Sequence, residues 1–264
     1  MHGTHAPMPK SLRTHAQWVS LSGVPALLVH PDFGTGNPIS PRPFLLWMHG
    51  RSANKELDNG RYLRLVRQGI ASVAVDLPGH GERLENSMQV PQRSMEVLET
   101  MLHELTGVER AIQHESGFDL QRAAVGGMSL GGMVALARLC THHTFKAAWV
   151  EATTGDWSEL ASSQFDPVRA EKWEPLRHLD QWQPVPLLAL HAELDKWMPV
   201  ESQRTFLSRV ANVNRGLPVE FKTFPATGAP HEHIGFGSFA PQAKDAGVAF
   251  LITHLQPNIS SELP

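Results

Sequence analysis

In Gly127-Met128-Ser129-Leu130-Gly131 a serine stands between two glycines, straight after the apolar run Ala123 to Val125 and ahead of the helix-forming Met133 to Ala137. A sharp turn from strand to helix holds such a serine in a strained backbone conformation, and the flanking glycines let neighbouring elements approach without Cβ clashes. The hydroxyl is then exposed. The helix that begins at the serine points its positive end, and the free N–H of Leu130, at any anion that forms on an attacked carbonyl. That is the equipment of a nucleophile in acyl transfer, although the bare pattern also fits a glycine-rich turn.

Other chemistry-bearing groups are Asp76 and His80 in DLPGHGER, Glu193 and Asp195 in LHAELD, and His231 and His233 in GAPHEH. His231-Glu232-His233 has the spacing of a metal pair, yet 15 histidines include no complementary cluster, so neither a metal nor a cofactor is expected. The one cysteine, Cys140, falls on the helix after the serine and reads as a small buried side chain.

These groups need a frame. Short apolar runs at Pro25 to Val29, Phe44 to Met48, Ile70 to Val75, Ala123 to Val125, Ala147 to Val150 and Val185 to Leu190 alternate with longer amphipathic stretches. Such alternation predicts an α/β fold: a mostly parallel twisted sheet of about eight strands with helices on both faces. Gln17 to Leu21, the break at Ser22-Gly23 and the next run predict an opening antiparallel hairpin. Helical spacing marks Met95 to Gln113, Val200 to Val210 and Ala243 to Leu255. Residues 154–182 break the rhythm and read as a small lid-like excursion, while 1–15 and 257–264 are expected to fray.

A chain of 264 residues fits a single domain, 1–264, because α/β domains commonly run to about 250 residues. With 23 basic against 26 acidic residues and no basic cluster, neither nucleic acid nor an anionic membrane surface is an expected partner. No run approaches the roughly 18 apolar residues of a membrane span, and the N-terminus lacks a signal-peptide core. A soluble cytoplasmic protein with a small-molecule partner is the expectation.

Taken together, the segments resemble those of the α/β-hydrolase superfamily over nearly the whole chain. Leu45 to Arg51 (LLWMHGR) is similar to the strand whose next backbone N–H supplies the second donor of the oxyanion hole, which implies Arg51 beside Leu130. DLPGHGER is similar to a rim-bracing turn, which implies structural parts for Asp76 and His80. Val185 to Asp195 is similar to the late strand ending in HGxxD, with Ala192 in place of glycine, which implies Asp195 as the acid of a catalytic triad; Glu193, Glu151 and Asp156 are weaker alternatives. Gly228-Ala229-Pro230-His231 is similar to the loop carrying the base, with proline in place of a second glycine. The match favours His231, with His233 the alternative base.

The order Ser129, Asp195, His231 is that of α/β-hydrolases. The layout looks most like the dienelactone-hydrolase and prolyl-oligopeptidase-type branch of small esterases, with nothing that reads as the propeller of the larger members. Dienelactone hydrolases use a cysteine nucleophile, so the serine favours a general carboxylesterase working through an acyl-enzyme. Activity should rise with pH through the ordinary histidine range, about 6 to 7. Other chemistry on the same triad (C–C hydrolysis, thioester cleavage, peptidase action) and a non-catalytic binding relative are the alternatives. Trp157, Trp173 and Trp197 either wall an apolar pocket or simply pack, and the Arg51 side chain is either a rim charge or a partner for a substrate carboxylate.

Overall fold

The computed structural model describes residues 8–160 and 165–257. Eight strands form one sheet: β1 (Ala16–Leu21), β2 (Val24–Val29), β3 (Arg42–Met48), β4 (Ala71–Val75), β5 (Phe118–Met128), β6 (Ala147–Glu151), β7 (Leu187–Ala192) and β8 (Val219–Phe224). Their order is β1-β2-β4-β3-β5-β6-β7-β8. The β1–β2 and β2–β4 pairs are antiparallel and all others parallel. Parallel neighbours need crossovers, and helices supply them: α2 (Asn59–Arg67), α3 (Ser94–Ile112), α4 (Leu130–Leu139), α5 (Pro167–Trp173) and α6 (Val200–Val213), while α1 (Lys10–Arg13) precedes β1 and α7 (Ala240–Leu255) follows β8. This is the expected α/β-hydrolase fold.

Because side chains alternate along a strand, each strand feeds two cores. Leu46, Met48, Val73 and Val125 point into the core under α3, α4 and α6. Leu45, Trp47, Ala74 and Trp149 point into the one under α1, α2 and α7. The central strands β4 and β6 are buried along their whole length, which is why they read as unbroken apolar runs. The hairpin turn is at Ser22-Gly23, both with positive φ, as a two-residue turn requires.

Three features depart from expectation. Residues 8–15 do not fray: α1 seats Leu12 in the second core with no exposure, while 1–7 and 258–264 lie outside the described residues. β8 is an edge strand of half-buried residues, so it carries no apolar run. α2 (NGRYLRLVR) buries an arginine, Arg61, along with Tyr62, Leu65 and Val66, which hid its apolar face. The excursion at 154–182 contains α5 and a short turn at Pro175–His178, with 161–164 outside the described residues. No helix among the described residues is long and apolar enough to cross a membrane.

Cys140 closes α4 in the first core, its Sγ 3.9 Å from the Pro175 carbonyl oxygen, and burial pushes the thiol up to about 12. Burial lowers the pKa of several histidines, among them His49 and His143. His49, at the end of β3, donates from Nδ1 to the Gly50 carbonyl (2.7 Å) and accepts the Leu77 N–H at Nε2 (3.0 Å), so the neutral ring fits its site. Its pKa falls from 6.5 to about 4, and that of His143 likewise, with Arg138 nearby adding to the effect of burial there. A histidine held neutral in the fold stabilises it fully above the unfolded pKa and loses that contribution as pH falls through the folded one. The melting temperature should therefore drop between pH 6.5 and pH 4, ahead of carboxylate protonation. A flat profile across that window by differential scanning calorimetry would refute the buried neutral rings.

Candidate active site

Ser129 sits at the turn between β5 and α4 with φ 52° and ψ −119°, a conformation that a β-carbon makes costly. Its neighbours hold it there. The Ser129 N–H donates to the Glu151 carbonyl (2.9 Å), and its own carbonyl accepts from Met133 N (2.9 Å) and Thr153 Oγ1 (2.9 Å). A Cβ on Gly127 would stand 2.4 Å from the Gly131 backbone, and one on Gly131 would stand 2.3 Å from the Met48 carbonyl oxygen. The two glycines are thus required by close approach. On the other side Gly50 abuts the serine, its Cβ position only 3.4 Å from the Ser129 Cβ.

The chain brings Asp195 and one histidine to this serine. That histidine is His233: Nε2 lies 2.8 Å from Ser129 Oγ and Nδ1 lies 2.7 Å from Asp195 Oδ2. A carboxylate only accepts, so Nδ1 carries the ring proton and the Ser129 hydroxyl donates to Nε2. Asp195 Oδ1 accepts the N–H groups of Trp197 (2.8 Å) and Met198 (2.9 Å), which fix the carboxylate on the loop after β7. His191, buried on β7, donates from Nε2 to the Met198 carbonyl (2.8 Å) and steadies the same loop.

The expectation that His231 faces the serine is corrected. His231 and Glu232 both take left-handed φ, 56° and 52°, so the chain turns once more before it delivers the next histidine inward. Glu232 locks that turn by accepting from Thr227 N (2.6 Å), Thr227 Oγ1 (2.7 Å) and Gly228 N (2.9 Å), bonds that hold its carboxyl below the usual range. His231 is left exposed, stacked on Trp197 at 4.7 Å and 24°. The alternative acids are engaged elsewhere: Glu193 accepts from Thr223 Oγ1, Asp156 from Ser158, and Glu151 from Arg61.

Asp76 and His80 are structural. Asp76 is fully buried and accepts from Lys55 N and Nζ and from Glu82 N, while His80 Nδ1 donates to the Pro78 carbonyl. Leu130 and Arg51 meet Ser129 and His233 in the wall of one cavity of about 410 Å³, a size suited to a small ligand. Glu159, Leu160 and Phe165 of the excursion and Trp197 also line it. Trp157 and Trp173 do not line it; their indoles donate to the Thr154 carbonyl and the Glu99 carboxylate and pack the excursion down.

A support unforeseen in the sequence lies beneath the serine. Arg61 is 2 % exposed, between the rings of Trp47 (3.7 Å) and Trp149 (4.1 Å), and grips both oxygens of Glu151 at 3.0 and 2.8 Å. Burial opposes its charge, but Asp58 and Glu151 more than offset this and raise its pKa. Since Glu151 offers its carbonyl to Ser129 N, the ion pair anchors the strand end that carries the serine. Removing one partner of a buried pair strands the other, at a cost of about 3 to 5 kcal/mol. Arg61→Met should lose that much in urea unfolding; a loss below about 1 kcal/mol would show that the pair does not hold the fold.

Known proteins resemble the chain at each of these levels. The prolyl oligopeptidase family matches residues 59–258. Esterase YjfP of Escherichia coli K12 is 25% identical over 252 residues, covering 89% of this chain and 97% of that protein. TT1662 of Thermus thermophilus superposes with a TM-score of 0.73 at 22% identity, covering 91% of this chain and 98% of its own. A puromycin-hydrolyzing peptidase of Mycobacterium tuberculosis superposes with a TM-score of 0.74 at 20% identity, covering 95% of this chain and 41% of its own. With Ser129 at the β5–α4 turn of this sheet and the match running through both, the chain is a hydrolase of the prolyl oligopeptidase family on the α/β-hydrolase fold.

Proposed function

We propose that the chain is a carboxylesterase acting on small esters through a Ser129–His233–Asp195 triad. The observation that carries this reading is the unbroken relay of 2.8 Å from serine to histidine and 2.7 Å from histidine to aspartate. His233 takes the Ser129 proton as Oγ attacks the ester carbonyl, and Asp195 stabilises the resulting imidazolium. The N–H groups of Leu130 and Arg51 hold the oxyanion; the alkoxide leaves with the proton from His233. Water, deprotonated by the same ring, then attacks the acyl-enzyme and releases the acid and the free serine.

The esterase name of YjfP, which aligns along almost its full length, supports ester over peptide substrates. The family name supports amide cleavage as the second reading. In this reading the excursion at 154–182 acts as a small lid over the cavity of one cytoplasmic domain, and the partner is a small ester, with no nucleic acid or membrane involved.

The test is labelling with a fluorophosphonate, peptide mapping, and turnover of p-nitrophenyl esters of increasing acyl length beside matching p-nitroanilides. One adduct on Ser129 with ester turnover is expected; anilide turnover without ester turnover would favour the peptidase. Ser129→Ala and His233→Ala should each cost roughly three orders of magnitude or more in kcat, and His231→Ala less than about tenfold. The reverse ranking of the two histidines would overturn the assignment of the base.

A further inference from the structure

Among the described residues Arg51 has no counter-ion, although it stands in a wall that holds a nucleophile. Other partly buried guanidinium groups face a carboxylate: Arg61 meets Glu151, Arg83 meets Glu104, and Arg138 meets Glu109, each at 2.8 Å. Among the described residues no carboxylate lies within ion-pair distance of Arg51. Its Nη1 donates to the Gln89 carbonyl at 3.2 Å, and its guanidinium lies 5.9 Å from the centre of the Trp197 ring. These two contacts hold the group against the cavity without neutralising it, and among the described residues the remaining donors of the fork have no partner. Burial already lowers its pKa, the sign of a cation kept in a poorly solvated place.

The rest of the wall has the same character. Lys196 adds a second cation to it. Glu159, the one acid among the described lining residues, accepts from Ser202 Oγ at 3.1 Å. A half-buried cation with spare planar donors matches a carboxylate in charge and shape.

We infer that the substrate bears a carboxylate and that the Arg51 guanidinium binds it, which selects anionic esters over neutral ones. This rests on the carboxylesterase reading and sharpens it. The N–H of Arg51 there faces the oxyanion, so the charge must lie within one arginine side chain of the reacting carbonyl. Short half-esters of dicarboxylic acids meet that requirement on the acyl side, and esters of hydroxy acids meet it on the leaving-group side.

The experiment compares charged and uncharged isosteres. The p-nitrophenyl monoester of glutaric acid is set against p-nitrophenyl 4-carbamoylbutanoate, and 3-carboxyphenyl butyrate against 3-carbamoylphenyl butyrate. In at least one pair the native enzyme should favour the anion in kcat/KM by about tenfold or more, the pair naming the side of the ester that carries the charge. Arg51→Met should erase that ratio, Arg51→Lys should keep part of it, and added salt should shrink it. Because each ratio is internal to one variant, a general loss of activity does not mimic the result. No preference in either pair, or a preference that survives Arg51→Met, overturns the inference and leaves the esterase reading standing.

Calorimetric titration with glutarate and with benzoate separates the two claims. If neither ester pair turns over but one of these anions binds about tenfold more weakly to Arg51→Met, the esterase reading falls and the anion site remains. If no ester turns over and no binding depends on Arg51, both fall.

Discussion

The turn after β5 can hold its serine only because the first turn of α4 comes to rest directly on the end of β3. Gly131 lies so close to the Met48 and His49 carbonyls that any side chain there would have to displace backbone. That contact sets the distance between the serine and the Gly50-Arg51 segment, and therefore brings Leu130 and Arg51 into one cavity wall. It also puts the strain of the serine's positive φ under load from both sides, with the Glu151 carbonyl on one flank and Thr153 on the other. Packed strand ends of this kind deform little, so the geometry is present before any ligand arrives.

Two separate supports meet at this point and work by different physics. Beneath the serine is an ion pair in an aromatic slot, where Trp47 and Trp149 flank the Arg61 guanidinium and Arg61 binds both Glu151 and Asp58. Above it are loops held mainly by hydrogen bonds to carboxylates: Asp195 gathers two backbone N–H groups, and Glu232 gathers two more and a hydroxyl. The lower support belongs to the sheet and unfolds with it. The upper one belongs to the loops after β7 and β8, which are tied to the two cores through Met198 and Phe236.

How legible all this was in the sequence depended on whether local pattern or tertiary context decided each element. Gly127 and Gly131 declare the turn around Ser129 because a side chain at either would meet backbone, and β4 and β6 declare themselves as apolar runs because both their faces are buried. Asp195 was legible through its place after a strand. β8 was not, since an edge strand with half-buried residues has no run to show. α2 was obscured by an arginine whose burial makes sense only once Glu151, ninety positions away, is beside it. The histidine that meets the serine lies two positions beyond the one the sequence favours, for a related reason. Gly228-Ala229-Pro230-His231 has the right residues in the right order, yet two left-handed residues after the proline change which side chain turns inward. Histidine enters that region somewhat more readily than most residues, but glutamate has no such preference, so the residue types do not announce two successive left-handed positions.

Cys140 has a practical consequence of its own. It is the sole cysteine of the chain, it is buried at the end of α4, and its thiol is held far from the thiolate that alkylating reagents attack. The native sequence is thus already a blank background for thiol chemistry. A cysteine introduced at an exposed position, such as Val168 in the excursion, would be the one reactive handle on the folded molecule. A dye placed there would report the position of that segment without any change to the core.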